Sequence, residues 1–219
     1  MNGAISMTIP ILESFLKLRL ASPLPGDKAH QEMRARTLDN GFPSFTHKLP
    51  PRPGAVLILL YPDAGRICFP IIRRQEYIGA HSGQISLPGG KTEAGETPLE
   101  TALREAEEEI GVDRRLPKVI GQLTNFFVMP SNFVITPVVA TIDHMPTFKP
   151  DPYEVAAVMS ADLETLLDDS AIQESEIVAS GLYKMMAPHF MLNGAMVWGA
   201  TAMILNEFRH TVRELKIEN

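Results

Sequence analysis

The order of periodic segments predicts an α/β protein whose mixed sheet is sandwiched by helices. Three observations carry that expectation. Residues 55–61 form an apolar run, which the turn Pro62-Asp63-Ala64-Gly65 sends back into a second strand over 66–72. Residues 97–110 follow a helical period, with Leu99, Ala102, Leu103, Ala106 and Ile110 on one face. Strand-like segments then resume, and a last amphipathic stretch closes the chain. With 219 residues, 45% of them apolar, the sequence can form one medium domain with a sizeable core.

Taken in order, residues 9–20 place Ile11, Leu12, Phe15, Leu16, Leu18 and Leu20 on a helical stripe, and Ser22-Pro23-Leu24-Pro25-Gly26 breaks it. Asp27 then caps a second helix expected to reach about Leu38, and residues 39–54, with Pro43, Pro50, Pro51 and Pro53, read as an irregular connector. Residues 1–50 are thus expected to be a helical extension packed on a main domain of 51–219. Pro70 marks the strand over 66–72 as an edge or bulged strand, because proline cannot donate to a ladder. Two more strands are expected over 118–128 and 133–142, joined at Met129-Pro130-Ser131-Asn132. A short helix over 162–167, strand-like runs near Ile177, Tyr183 and Phe190, and a closing helix over 198–215 complete the reading.

Composition excludes several functions. The formal charge is −6 and no basic run exceeds two residues, which argues against a nucleic-acid surface, since phosphate backbones need clustered Lys and Arg. No stretch of eighteen apolar residues and no basic leader point to a membrane, so a cytoplasmic protein without a membrane partner is expected. Cys68 stands alone, which excludes an intramolecular disulfide, and its apolar setting suggests a buried inert thiol.

The chemistry concentrates on the helix over 97–110. Thr97 suits an N-cap, Pro98 the first helical position, and Glu100 the acid of a capping box, while Gly111 suits the left-handed stop. Glu105, Glu108 and Glu109, three and four apart, gather carboxylates on the face opposite the apolar one. They repel each other and meet the unfavourable end of the helix dipole, so a cation is the natural compensation. Hard divalent ions, Mg²⁺ or Mn²⁺ in its place, prefer such oxygens. The competing reading is a solvated acidic face; Glu96 and Arg104 eight residues apart, with Gly89 and Gly90 upstream, favour the metal site. Arg104 would tie the loop at Glu96 to the helix by charge-assisted bonds, and Gly89 and Gly90 let the backbone approach metal or phosphate.

Gly90, Glu96, Arg104, Glu105, Glu108, Glu109, Gly111 and Val112 together resemble the signature of the Nudix hydrolases. That resemblance implies a Nudix-type α/β/α sandwich with extra N-terminal helices, and hydrolysis of a nucleoside diphosphate linked to a second moiety. Ile78-Gly79-Ala80-His81-Ser82-Gly83-Gln84-Ile85-Ser86-Leu87-Pro88-Gly89-Gly90 resembles the extended motif of the coenzyme A pyrophosphatase branch, as do 132–139, 151–155 and 198–202. Pro23-Leu24-Pro25-Gly26 and Ala29-His30 are similar to N-terminal pieces of bacterial members. The chain departs from the branch at Leu87, where phenylalanine is usual, and at Ile71-Ile72-Arg73-Arg74 and Gly79. The implied products are adenosine 3′,5′-bisphosphate and 4′-phosphopantetheine. The resemblance makes Glu105 and Glu109 the firmest metal ligands, with Glu108 and the Gly90 backbone beside them. Glu96, Arg104 and Glu108 take catalytic roles; Glu108 is either general base or a further ligand, and Glu154 is a second candidate base. His81, Gly83, Gln84, Arg73 and Arg74 are candidate substrate-binding residues.

Competing readings stand for several of these. His81 contacts phosphate or satisfies loop carbonyls, and Arg73 and Arg74 pair with phosphate or end a solvated strand. Trp198 is read as core before adenine stacking, and Met185, Met186, Met191 and Met196 as gap-filling core. Tyr153 is left open. The family is compatible with a homodimer. For function, the alternatives are a Nudix hydrolase of ADP-ribose or reduced nicotinamide dinucleotide, and a non-catalytic nucleotide sensor.

Overall fold

A computed structural model of the chain describes residues 7–38, 45–76, 83–179 and 183–216. Its elements are α1 (Ile9–Arg19), α2 (Asp27–Glu32), β1 (Arg36–Thr37), β2 (Arg52–Asp63), β3 (Arg66–Arg74), β4 (Ile85–Ser86), β5 (Gly89–Lys91), α3 (Pro98–Ile110), β6 (Lys118–Gln122), β7 (Phe126–Val128), β8 (Phe133–Thr141), β9 (Val155–Asp162), α4 (Leu163–Leu167), β10 (Ile172–Ala179), β11 (Tyr183–Leu192), β12 (Ala195–Trp198) and α5 (Gly199–Arg213).

The larger sheet is mixed and eight-stranded. Its path runs β4-β3-β2-β8-β6, with β5 on β2, β7 on β8 and β9 on β3. β2 and β8 pair in parallel from Arg52↔Phe133 to Leu60↔Thr141. Alternation along β2 sends its side chains to opposite faces. Ala55, Leu57, Leu59 and Tyr61 meet Ala102, Ala106 and Ile110 of α3. Ile58 and Leu60 meet Leu12 and Leu16 of α1 and Leu205, Phe208 and Val212 of α5. Helices therefore cover both faces of the sheet. Leu12, Leu57, Leu60 and Phe208 are 0% exposed, and each such side chain contributes about 1.5–3 kcal/mol relative to an exposed one. Among the described residues no helix is long and apolar enough to cross a membrane.

The structure corrects several expectations. α2 stops at Glu32 rather than near Leu38, because Arg36 and Thr37 are drawn into pairing with Met186 and Met185. β2 begins at Arg52, inside the expected connector, since the parallel ladder with β8 starts there. The stretch 118–128 is two strands, bulged between Val119 and Gly121 and interrupted before Phe126. β9 was not expected, nor was a second sheet, in which β11 pairs with β1, β10 and β12. Trp198 ends β12 and caps α5 rather than lying within a helix, and it is half-buried. Met185 is buried, but Met196 is 37% exposed and fills no gap. Pro70 fits its strand because pairing with β2 ends at Cys68, while β9 continues alongside at Pro70↔Ser160. Cys68 is buried, and burial pushes its thiol above the usual range.

Candidate active site

The site forms where α3 meets the short strand β5. Thr97 Oγ1 accepts from the Glu100 backbone N–H and Thr97 N donates to Glu100 Oε2 at 2.8 Å, closing a capping box. Gly111 ends the helix at φ 72°. Two turns later than the cap, the polar face of α3 does not point to open water. It faces the Gly89–Lys91 backbone, whose approach depends on residues lacking side chains. A Cβ at Gly89 (φ +151°) would lie 2.3 Å from Ala55 O, and one at Gly54 2.6 Å from Gly90 O. A Cβ at Gly90 would lie 2.5–2.6 Å from the Glu105 carboxyl. The glycines therefore let the backbone and the Glu105 carboxylate come together.

Arg104 is the hub. Its Nε donates to Glu96 Oε1 at 2.6 Å and its Nη2 to Glu96 Oε2 at 3.0 Å, a two-point clamp. Nη1 donates to Glu105 Oε1 and Glu108 Oε2, each at 2.9 Å, and Nη2 also reaches Lys91 O at 3.0 Å. One guanidinium thus joins the loop, β5 and the helix. The Glu96 carboxyl is held down at about 2, chiefly by Arg104 and also by the Glu93 N–H and Thr101 hydroxyl. Contact with Glu96 raises Arg104 in turn.

Glu109 is buried at 2% exposure. Its Oε2 accepts from Gly89 N at 2.8 Å and its Oε1 lies 3.3 Å from Arg74 Nη1. Desolvation pushes its carboxyl up to about 7 despite those two partners, and the charges of Glu105 and Glu154 add to the rise. Burial raises Glu105 as well, with Glu108 and Glu154 contributing. Four acids thus act on one small volume. Glu108 differs, its side chain being 55% exposed.

Among the described residues no three His, Cys, Asp or Glu side chains stand close enough to hold a metal as placed. Glu105 and Glu108 turn to Arg104, and Glu109 to Gly89 and Arg74. The donor set nonetheless suits a hard divalent cation: Glu105 and Glu109 are carboxyl groups raised by burial, the charge of Glu105 adds to the rise at Glu109, and Gly90 stands beside Glu105. These two are the residues that could hold one.

Of the other candidates, Arg74 stands at Glu109, while Arg73 is exposed on the far side of a bulge in the β3–β9 pairing. Gly83, at φ +66°, and Gln84 lie beside β3, and Gln84 O accepts from Arg74 N at 3.0 Å. His81 lies outside the described residues. The pairing of Arg74 with Glu109 was not expected; no helical or strand period links a residue on β3 to one on α3. Thr101, which bonds Glu96 and sits at 0% exposure, was also missed, though its place one turn after Thr97 aims it at the loop.

A family model described as NUDIX domain matches residues 51–180. Nudix hydrolase 15, mitochondrial, of Arabidopsis thaliana is 37% identical over 163 residues, covering 71% of this chain and 56% of that protein. The uncharacterized Nudix hydrolase NudL of Yersinia enterocolitica is 32% identical over 143 residues, covering 65% of this chain and 72% of its own length. The chain spans about half the length of the plant relatives it matches. In fold, it is similar to the crystal structure of a Nudix hydrolase, RenU, from M. smegmatis, with TM-score 0.52 at 16% identity, over 78% of this chain and 88% of that one.

Proposed function

The chain belongs to the Nudix family, and on that premise we propose that it hydrolyses the diphosphate bond of coenzyme A or its derivatives with the help of a divalent cation. The products are adenosine 3′,5′-bisphosphate and 4′-phosphopantetheine. The observation that carries hydrolysis is the convergence of Glu105 and Glu109 on the Gly89–Gly90 backbone under the Arg104 hub. The likeness of residues 78–90 to the coenzyme A branch carries the choice of substrate.

Glu105 and Glu109, with Glu108 and the Gly90 backbone alongside, would hold Mg²⁺ or Mn²⁺, which would supply neutralising charge for the diphosphate and acidify a water. The chain's own residues do the rest. Arg104 and Glu96 hold the loop and helix in one geometry, which fixes the backbone from which the acids reach. Arg74 lies at the edge of the acid cluster and can turn its fork to a diphosphate oxygen. Gly83 and Gln84, beside β3, line that side in this reading, and His81 and Arg73 are assigned to the substrate by the resemblance alone. Water adds to one phosphorus as the bridging P–O bond breaks, and its proton passes to a carboxylate. Glu108 and Glu154, acids beside the pair that are open to solvent, are the two candidates to accept it.

The test is mass analysis of products after incubation with Mg²⁺ and, separately, coenzyme A, ADP-ribose and reduced nicotinamide dinucleotide. The proposal expects coenzyme A to be cleaved fastest and to yield the two named products. ADP-ribose cleaved as fast or faster overturns the substrate, and no turnover of any of the three favours a nucleotide sensor.

A further inference from the structure

The face of the sheet opposite α3 carries an arrangement that the acid cluster does not use. Arg52 and Gly54 lie two apart on β2, so they face the same way. Gly54 pairs with Lys91 of β5, and Arg52 and Gly54 pair with Phe133 and Ile135 of β8. These five residues therefore share one face at one end of the sheet. Gly54 leaves room for its neighbours to lean in: a Cβ there would lie 3.0 Å from Ile135 Cδ1 and 3.3 Å from Phe133 Cδ1. The Arg52 guanidinium lies over the Phe133 ring, 4.1 Å from its centroid, and donates to Ser131 O at 3.0 Å. A stacked guanidinium with one anchoring bond is preorganised and keeps most of its fork for a ligand.

Both cations are exposed, and among the described residues neither forms an ion pair with a carboxylate. The arrangement is also coupled to the acid cluster. Lys91 O is held by Arg104 Nη2, the same group that bonds Glu96. Ala55 pairs with Gly90, and Arg52 lies three residues further along β2, which is roughly 10 Å of strand. β5 is common to both, since Gly90 stands at the Glu105 carboxyl and the next residue, Lys91, pairs with Gly54.

We propose that Arg52 and Lys91, over the Phe133 platform, form a subsite for a phosphomonoester on the substrate's ribose. This rests on the coenzyme A reading, in which the ligand carries a 3′-phosphate that ADP-ribose and reduced nicotinamide dinucleotide lack. Arg52 is then a specificity residue, set apart from the acids that cleave.

The test compares kcat/KM for coenzyme A and 3′-dephospho-coenzyme A in wild type, Arg52→Ala, Arg52→Lys and Lys91→Ala. Loss of a charge-assisted phosphate contact is worth about ten- to a hundred-fold. Wild type should prefer coenzyme A, Arg52→Ala should shrink that preference at least about ten-fold through KM, and Arg52→Lys should restore part of it. A preference in Arg52→Ala within about two-fold of wild type overturns the subsite. Calorimetry with adenosine 3′,5′-bisphosphate and with AMP separates this failure from that of the substrate reading. A protein that cleaves no coenzyme A, yet binds the bisphosphate more tightly than AMP and loses that advantage in Arg52→Ala, keeps the subsite and discards the substrate. Equal affinity of wild type for the two nucleotides overturns the subsite whatever the turnover.

Discussion

Gly89 and Gly90 are neighbours in sequence, yet alanine at each should fail in a different way. At Gly90 the three atoms nearest the added methyl all belong to the end of the Glu105 side chain, at 2.5–2.6 Å. Ordinary contact begins near 3.4 Å, so the carboxylate must retreat by almost 1 Å. A reacting group misplaced by that much costs on the order of a hundred-fold in rate. The backbone needs no change, so stability should hold to within about 1 kcal/mol, a surface-like cost. At Gly89 the methyl meets backbone instead, 2.3 Å from Ala55 O and 2.6 Å from Val56 Cα, at a φ of +151° that favours glycine. The β2–β5 ladder has to open, at about 2–4 kcal/mol, which corresponds to a fall in Tm of about 5–15 °C for a domain of this size. Thermal melting and Mg²⁺-dependent hydrolysis of coenzyme A, measured on both variants, read the two effects separately. Gly90→Ala with wild-type kcat/KM would show that the reaction does not depend on where the Glu105 carboxylate lies, and the geometric argument for the site would fail.

Other outcomes follow from the same contacts. Arg104→Ala removes a buried guanidinium and its bonds to Glu96, Glu105, Lys91 and the half-exposed Glu108; after allowance for partial solvent exposure it should cost about 2–4 kcal/mol, seen as a lower Tm, and lower kcat/KM. Arg104→Lys should rescue little, because one ammonium cannot span four acceptors, and full rescue would contradict the hub. Glu109→Gln should abolish turnover while leaving the circular dichroism spectrum of the fold unchanged; a near-normal rate removes Glu109 from the metal assignment. The same residue predicts a pH effect in metal-free protein. Its folded carboxyl sits at about 7, above the ordinary 4.5, so between those values the folded chain holds a proton that the unfolded chain has lost. Its contribution to stability is therefore greatest below the unfolded value and declines as pH rises through the folded one. Wild type should lose Tm relative to Glu109→Gln from about pH 5 to about pH 8 in EDTA, and parallel curves would contradict the buried carboxyl.

The legible features were those set by local chemistry. Thr97, Pro98, Glu100 and Gly111 fix both ends of α3 by capping, and the residues that do so are adjacent in sequence. The clamp from Arg104 to Glu96 was legible for the same reason, since the loop brings back a partner only eight residues away. The depth of Glu109 was not legible, because it depends on β5 coming close, which in turn depends on Gly54 of a distant strand. β9 was hidden by its composition: Val-Ala-Ala-Val-Met-Ser-Ala-Asp holds few β-branched residues, and pairing along β3 from Cys68 to Arg74 imposes the extended state. β12 did leave a signal. Asn193-Gly194 adopts φ values of 48° and 74°, the tight hairpin turn that this pair favours, and it joins β11 to the strand before α5.

The central claim is that Glu105 and Glu109 take a divalent cation beside the Gly89–Gly90 backbone. Electron paramagnetic resonance of free Mn²⁺, titrated into wild type and into Glu105→Gln/Glu109→Gln, tests it without reference to any substrate. Wild type should remove Mn²⁺ from solution in a saturable way and the double variant should not. Equal uptake by the two proteins, or no uptake by either, would contradict it.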